Sequence, residues 1–261
     1  MIVFSLVAHQ DEAGVMAQIE NLRKFIRRPF MVVLYNGGSN PHFGKLTALS
    51  YNEVKLCPYS RPLSYRRTGR VLYDVTRWLR DEGIKYDFIV YLESDTMFIR
   101  KGFDKYLYSS KMKGYDCTAQ HWSKYNPKKD DPGSPGTKTM FKHWKKWKKF
   151  FGTNYFMKTS NPFQTYRYEM IQKILDKFDG DLFERTLAAT DVESLGEMVF
   201  PTLAAKHGAK ARLYPKSFRR FNRWKPELGK SEVNKAKKKG KYLFIHPVKS
   251  SRVRNWVLRN V

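Results

Sequence analysis

The chain is poor in the residues that staple, span or cradle. It has two cysteines in 261 residues, Cys57 and Cys117, far apart and without metal-type spacing. That excludes a disulfide framework and a cysteine-rich zinc site, and it reads as two reduced thiols. No apolar run approaches the roughly 18 residues of a membrane span. The opening MIVFSLVAHQDE has a short apolar run but no basic leader, so it reads as a first strand rather than a signal peptide. The expected location is cytoplasmic. No solenoid-period repeat and no long low-complexity tract is present, which sets repeat architectures aside.

Acids are scarce too. There are 24 Asp and Glu against 50 Lys and Arg, a formal charge of +26. The excess lies late: residues 100–150 hold 14 Lys or Arg against 4 acids, and residues 206–261 hold 18 against 2. Such a field draws polyanions, whether nucleic acid, anionic lipid, phosphorylated ligands or acidic polysaccharide, without choosing among them.

What the chain does have is a strand and helix rhythm. IVFSLVA (2–8), FMVVLYN (30–36) and YDFIVYL (86–92) are continuous apolar runs, as in strands buried on both faces. EVKLC (53–57) is a shorter one. Apolar spacings of three and four predict helices over 11–27 and 67–82. This order implies an α/β fold, a mostly parallel sheet flanked by helices. The second half reads as a mobile loop over 124–139, a basic amphipathic helix over 140–151 and a strand over 154–160. Helices over 163–178 and 191–206, a strand over 211–215 and a basic tail with an apolar island at 242–249 complete it. With no clean linker, residues 1–261 read as one domain. Residues 1–110 form a nucleotide-binding half and 111–261 an acceptor-binding half.

The most informative stretch is YDFIVYLESDTMFI, Tyr86 to Ile99, where a buried strand ends on two acids. Residues two apart on extended chain point the same way, so Glu93 and Asp95 can face one ligand beyond the carboxyl edge of the sheet. Two hard oxygen donors suit Mg²⁺ or Mn²⁺.

The order SLVAHQDE, VVLYNGGS, YDFIVYLESD resembles the GT-A family of nucleotide-sugar glycosyltransferases, whose acidic DxD-type motif ends a strand at this depth. The resemblance implies a single Rossmann-like domain and metal-dependent sugar transfer from a nucleoside diphosphate sugar, UDP- or GDP-linked, to a glycan or lipid-linked hydroxyl. It makes Glu93-Ser94-Asp95 the motif, with Glu where the strict pattern has Asp. Ala8, His9 and Asp11 fall where the family contacts base and ribose, and Asn36 ends the second strand. Arg66, Arg67 and Gly69 open the helix before the motif and approach the diphosphate. In IHPVK, His246 completes the metal shell and Lys249 meets the diphosphate. Thr190 reads as a helix cap with Asp191 and Glu193 in the first turn. Either acid is a candidate base for an inverting reaction.

Two rivals stand beside that reading. A nucleotidylyltransferase also joins such a sheet to carboxylate-bound metal, but it wants a glycine-rich loop where this chain has VAHQDEAG. A nucleic-acid-binding protein suits FKHWKKWKKFF (141–151), yet no helix-turn-helix, zinc-finger or RNP-type signature accompanies it. In that run Trp144, Trp147 and Phe151 share one helical face, which leaves the lysines for an acceptor or for peripheral contact with an anionic membrane.

Overall fold

A computed structural model describes residues 1–64, 67–214 and 221–261. The elements run β1 (Ile2–Ala8), α1 (Glu12–Phe25), β2 (Phe30–Asn36), α2 (Lys45–Ser50), β3 (Val54–Leu56), α3 (Val71–Asp81), β4 (Phe88–Glu93) and β5 (Met97–Phe98). After these come α4 (Phe103–Leu107), β6 (Cys117–Ala119), β7 (Ser123–Tyr125), α5 (Pro135–Lys142), α6 (Trp144–Phe151), β8 (Phe156–Lys158) and β9 (Thr165–Arg167). The chain closes with α7 (Tyr168–Leu175), α8 (Gly180–Ala188), α9 (Val199–Lys206), β10 (Ala211–Leu213), α10 (Lys230–Lys238), β11 (Phe244–Ile245) and α11 (Ser251–Asn260).

Seven strands form one sheet in the order β10-β6-β9-β4-β1-β2-β3. Neighbours are parallel except at β9, which runs antiparallel to both β4 and β6. The continuous apolar strands follow from this, since both faces of β1, β2 and β4 are covered. Phe4, Leu6, Val32 and Val90 pack under α1 and the C-terminal helices. Val3, Val33, Ile89 and Tyr91 pack under α3 and the helices of the second half. Fold class is therefore as expected, an α/β domain built on a mostly parallel sheet.

Helix α1 buries Val15, Ile19 and Leu22, the i, i+4, i+7 stripe of its sequence. Asp11 caps it, accepting a hydrogen bond from the Gly14 N–H, and also pairs with Arg254 of α11. A Cβ at Gly14 would collide with that guanidinium, so glycine here is what lets the C-terminal helix lock onto α1.

Several second-half expectations fail for local reasons. Residues 163–167 are not the start of a helix: Thr165–Arg167 is the antiparallel strand between β4 and β6, and helix begins only at Tyr168. Residues 191–206 are not one helix either. A single 3-10 turn covers Leu195–Glu197, and α9 starts at Val199. Thr190 does not cap forward; its hydroxyl donates backward to the Thr186 carbonyl and closes α8, a helix the sequence pattern did not reveal. The expected loop 124–139 contains β7, a turn held by Asn126 and Asp130, and the Ser134 capping box of α5. The helix over 140–151 is two helices broken at His143. The basic tail carries α10 and α11. Helix α3 begins at Val71, so Arg67 and Gly69 precede it, and Pro215 lies outside the described residues.

Two buried amides of α1 position the turn after β4. Asn21 makes a reciprocal pair with Phe98, donating to its carbonyl at 2.9 Å and accepting from its N–H at 2.7 Å. Gln18 donates to the Glu93 carbonyl at 3.0 Å and to the Thr96 hydroxyl at 2.6 Å. Replacing Asn21 by Leu strands two buried backbone groups, which costs about 2–4 kcal/mol. Urea unfolding of Asn21→Leu measures this, and a loss below about 0.5 kcal/mol would show that the pair does not hold the turn.

Candidate metal and nucleotide site

Strand β4 delivers Glu93 and, through a tight turn, Asp95 to the carboxyl edge of the sheet. Antiparallel pairing of β11 with β5, Phe244 to Phe98 and Ile245 to Met97, carries the next residue, His246, back to the same place. The Val248 N–H donates to the Asp95 carbonyl at 2.7 Å. Over 150 residues of intervening chain thus converge within one turn. His246 Nε2 stands 3.1 Å from Glu93 Oε2 and 3.1 Å from Asp95 Oδ1. Among the described residues, Glu93, Asp95 and His246 form a cluster whose ligand atoms all lie within 4.8 Å of one another. Lys249 Nζ lies 4.0 Å from Asp95 Oδ2, with its side chain 63% exposed.

The electrostatics follow from crowding. Burial alone would push the His246 imidazolium down. Hydrogen bonds to Asp95 and Glu93 outweigh it, and the ring rises from an ordinary 6.5 to about 10. Burial favours the neutral form of Asp95, but His246 and then Lys249 hold its carboxyl below the usual range. A proton on His246 therefore occupies the place of a cation between two carboxylates. The donor set, two carboxylate oxygens and one imidazole nitrogen, fits Mn²⁺ or Mg²⁺. His246 Nδ1 is buried without a hydrogen-bond partner, so Nε2 is the nitrogen that answers the acids.

Around this cluster lie groups that the sequence did not single out. Asn161 Nδ2 donates to Glu93 Oε1 at 3.2 Å, and its backbone N–H donates to the Glu197 carboxylate. Glu197 Oε2 pairs with Lys158 Nζ at 3.3 Å. Burial raises the Glu197 carboxyl above its ordinary range, Lys158 opposes that, and the charge on Glu93 adds to it. The buried Tyr91 phenol is kept protonated by burial first and then by the nearby charge of Glu93, with Glu197 contributing. Glu93, Asn161, Glu197 and Lys158 therefore form one connected polar chain. It is assembled from β4, β8, the segment before β9, and the 3-10 turn at Leu195–Glu197. Glu197 sits in a segment whose pattern reads as helix, and Asn161 falls between an expected strand and an expected helix, so no sequence signal marked them.

The remaining expected residues divide. Ala8 is buried at the end of β1, its carbonyl taking the Gly37 N–H at 2.7 Å, with His9 exposed beside it. Asn36 spends its side chain on its own turn, accepting from Gly38 N–H and donating to the Asn40 carbonyl. Ser94 lies in the acidic turn. Gly69 is buried against Leu195, where a Cβ would collide. Arg67 is exposed, and Arg66 lies outside the described residues. Asp191 is at the surface, paired with His143 and Lys142, and both partners hold its carboxyl low, His143 foremost. The Glu193 N–H is fixed by the Thr139 hydroxyl. The structure does not gather Asp191 with the metal cluster.

The fold has known counterparts. A crystal structure of an active-site mutant of LgtC matches with a TM-score of 0.50 and 11% identity, covering 85% of this chain and 74% of that one. The galactosyltransferase LgtC in complex with donor and acceptor sugar analogues gives a TM-score of 0.48 and 11% identity, covering 85% and 75%. The first likeness establishes a GT-A-type α/β fold. No protein-family model matches the chain, and no curated protein matches it by sequence.

Because a cation must displace the His246 proton, metal affinity depends on pH. The folded value of about 10 lies above the unfolded 6.5. Protonation thus stabilises the metal-free fold fully below pH 6.5, and this contribution fades as pH rises towards 10. Metal binding runs the opposite way, gaining about tenfold per pH unit across neutral pH with release of about one proton. Calorimetric Mn²⁺ titrations in buffers of different ionisation heat measure the proton count. A pH-independent affinity with no proton released would contradict the arrangement.

Proposed function

We propose that the chain is a metal-dependent glycosyltransferase that moves a sugar from a nucleoside diphosphate donor to a hydroxyl acceptor. The observation that carries this reading is the convergence of Glu93, Asp95 and His246 at the carboxyl edge of a GT-A-type sheet. LgtC, whose fold it shares, is a galactosyltransferase, which supports the class of reaction. Asp95, Glu93 and His246 would hold the cation, Mn²⁺ or Mg²⁺. When bound, it supplies positive charge to the diphosphate that departs.

This chain's own residues do the rest. Lys249, exposed beside Asp95, meets the outer phosphate as a flexible point charge. The ends of β1 and β2, with Ala8, His9 and the Asn36–Asn40 turn, form the shelf for base and ribose. Asp11, tied to Arg254, braces that shelf from below α1. Asn161 orients Glu93 so that its second oxygen stays turned to the metal position.

The proton acceptor is Glu197 rather than Asp191 or Glu193. Its carboxyl is shielded, its affinity for a proton is raised, and it shares Asn161 with Glu93. Asp191 lies at the surface against His143 and Lys142. An inverting outcome follows from Glu197 taking the proton of the incoming hydroxyl while the diphosphate leaves from the opposite side. Nothing in the site resembles the glycine-rich cradle of a nucleotidylyltransferase.

Two substitutions test the assignment by nucleotide release over a panel of UDP- and GDP-sugars. Asp95→Asn abolishes turnover and metal-dependent nucleotide binding while the unfolding midpoint holds. Glu197→Gln lowers kcat by about 10²–10⁴ with metal affinity unchanged, whereas Asp191→Asn stays within about twofold of the parent. Full turnover in EDTA, or equal losses for Glu197→Gln and Asp191→Asn, would overturn the reading.

A further inference from the structure

The excess positive charge is not spread evenly over the second half, and it lines two pockets, one on α10 with Lys235, Lys238 and Lys239 and one beside the β7–β8 ribbon. Asn126, Lys128 and Lys129 of the turn after β7, Trp144 and Lys148 of α6, and Asn154 ahead of β8 line a cavity of about 300 Å³. Three lysines, two asparagines and one tryptophan therefore line the space.

Most of the aromatic residues nearby are packed inside. Trp147, Phe150 and Phe151 are buried. The Trp144 ring packs on Phe151 and Phe156, and Lys124 covers Tyr155 at 4.2 Å. Nucleic-acid bases need open aromatic faces on which to stack, and an interfacial helix needs exposed apolar side chains. Helix α6 offers one half-buried ring, Trp144, and no exposed apolar side chain. What it leaves to solvent is lysine, and what the pocket adds is amide hydrogen bonding.

The pocket is joined to the metal site. Strands β7 and β8 form an antiparallel ribbon in which Ser123 faces Lys158 and Tyr125 faces Phe156. Its inner end carries Lys158, which reaches Glu197, and three residues further on Asn161 reaches Glu93. Its outer end carries Asn126 and Asn154. From Lys158 to Asn154 is about 13 Å of extended chain. We propose that this pocket is an acceptor subsite for an acidic glycan, one whose sugars carry carboxylate, sulfate or phosphate, with the growing end at Glu197 and a charged residue a few sugars back held by Lys128, Lys129 and Lys148. The proposal rests on the glycosyltransferase reading and names its acceptor class.

Direct binding, measured without donor or metal, separates the two. The probes are a galacturonic acid octamer and a heparin-derived octasaccharide, against a neutral glucose octamer, a dT12 oligonucleotide and phosphatidylglycerol vesicles. The test variant is Lys128→Gln, Lys129→Gln, Lys148→Gln combined. An equal-charge control replaces Lys101, Lys105 and Lys111, exposed on and around α4, by Gln. The expected result is that at least one acidic octasaccharide binds and the neutral one does not. The pocket variant then weakens that binding about tenfold and the α4 control by less than about twofold. Equal losses in both variants would mean diffuse charge and overturn the subsite, as would tighter binding of dT12 or of the vesicles, or no acidic-glycan binding at all. If the acidic glycan binds as expected but no sugar nucleotide is ever turned over, the subsite stands and the transferase reading falls.

Discussion

Two carboxylates held two residues apart at the end of a buried strand repel each other, and the structure around them answers that repulsion. The answer is His246, brought back from the far end of the chain by the β5–β11 pairing and placed 3.1 Å from both acids. The pairing in turn depends on where β5 sits, and that is set by Asn21 and Gln18 from within α1. Arg254 then fastens α11 to the cap of α1 through Asp11 while donating to the Val248 carbonyl. First strand, first helix, acidic turn and C-terminal helix are one mechanical unit around the cluster.

That unit explains why a bare Glu-x-Asp triplet carries weight here. Acids at strand ends are common, and in a solvated turn they need no partner. Here the turn is pinned on both sides and an imidazole is inserted at the cost of burying it. The proton that the acids hold on His246 is the state in which a cation is lacking, so the same geometry that stabilises the metal-free fold prepares the exchange. The net charge of +26 on the whole chain favours anionic ligands in general.

Much of the first half was legible in the sequence for a physical reason. β1, β2 and β4 are covered on both faces, so they read as unbroken apolar runs, and α1 shows a clean stripe of Val15, Ile19 and Leu22. Glu93 and Asp95 were legible as two acids closing a buried apolar run, although a turn rather than the period of an extended strand brings Asp95 round, and His246 because it follows a short apolar run. The second half was not. Thr165–Arg167 is a three-residue strand fused directly to α7, and its single aromatic, Tyr166, merges with the helical pattern behind it. Thr190 followed by Asp191 and Glu193 imitates a helix start, yet Thr190 is occupied by Thr186 and by the Trp147 indole, and Asp191 by His143. Helix α10 buries only Val233 and Ala236, too little to stand out in a lysine-rich tail. Glu197 and Asn161 owe their place to tertiary contacts alone, so no local pattern announces them.

The central claim is that Glu93, Asp95 and His246 form a divalent-cation site on which a nucleoside diphosphate rests. Its most direct measurement is an anomalous difference map from crystals grown with Mn²⁺ and soaked with UDP. The account predicts one strong peak bonded to Asp95, His246 and Glu93, with diphosphate density between that peak and Lys249. A map with no peak there, or with manganese and nucleotide bound elsewhere on the chain, would contradict it.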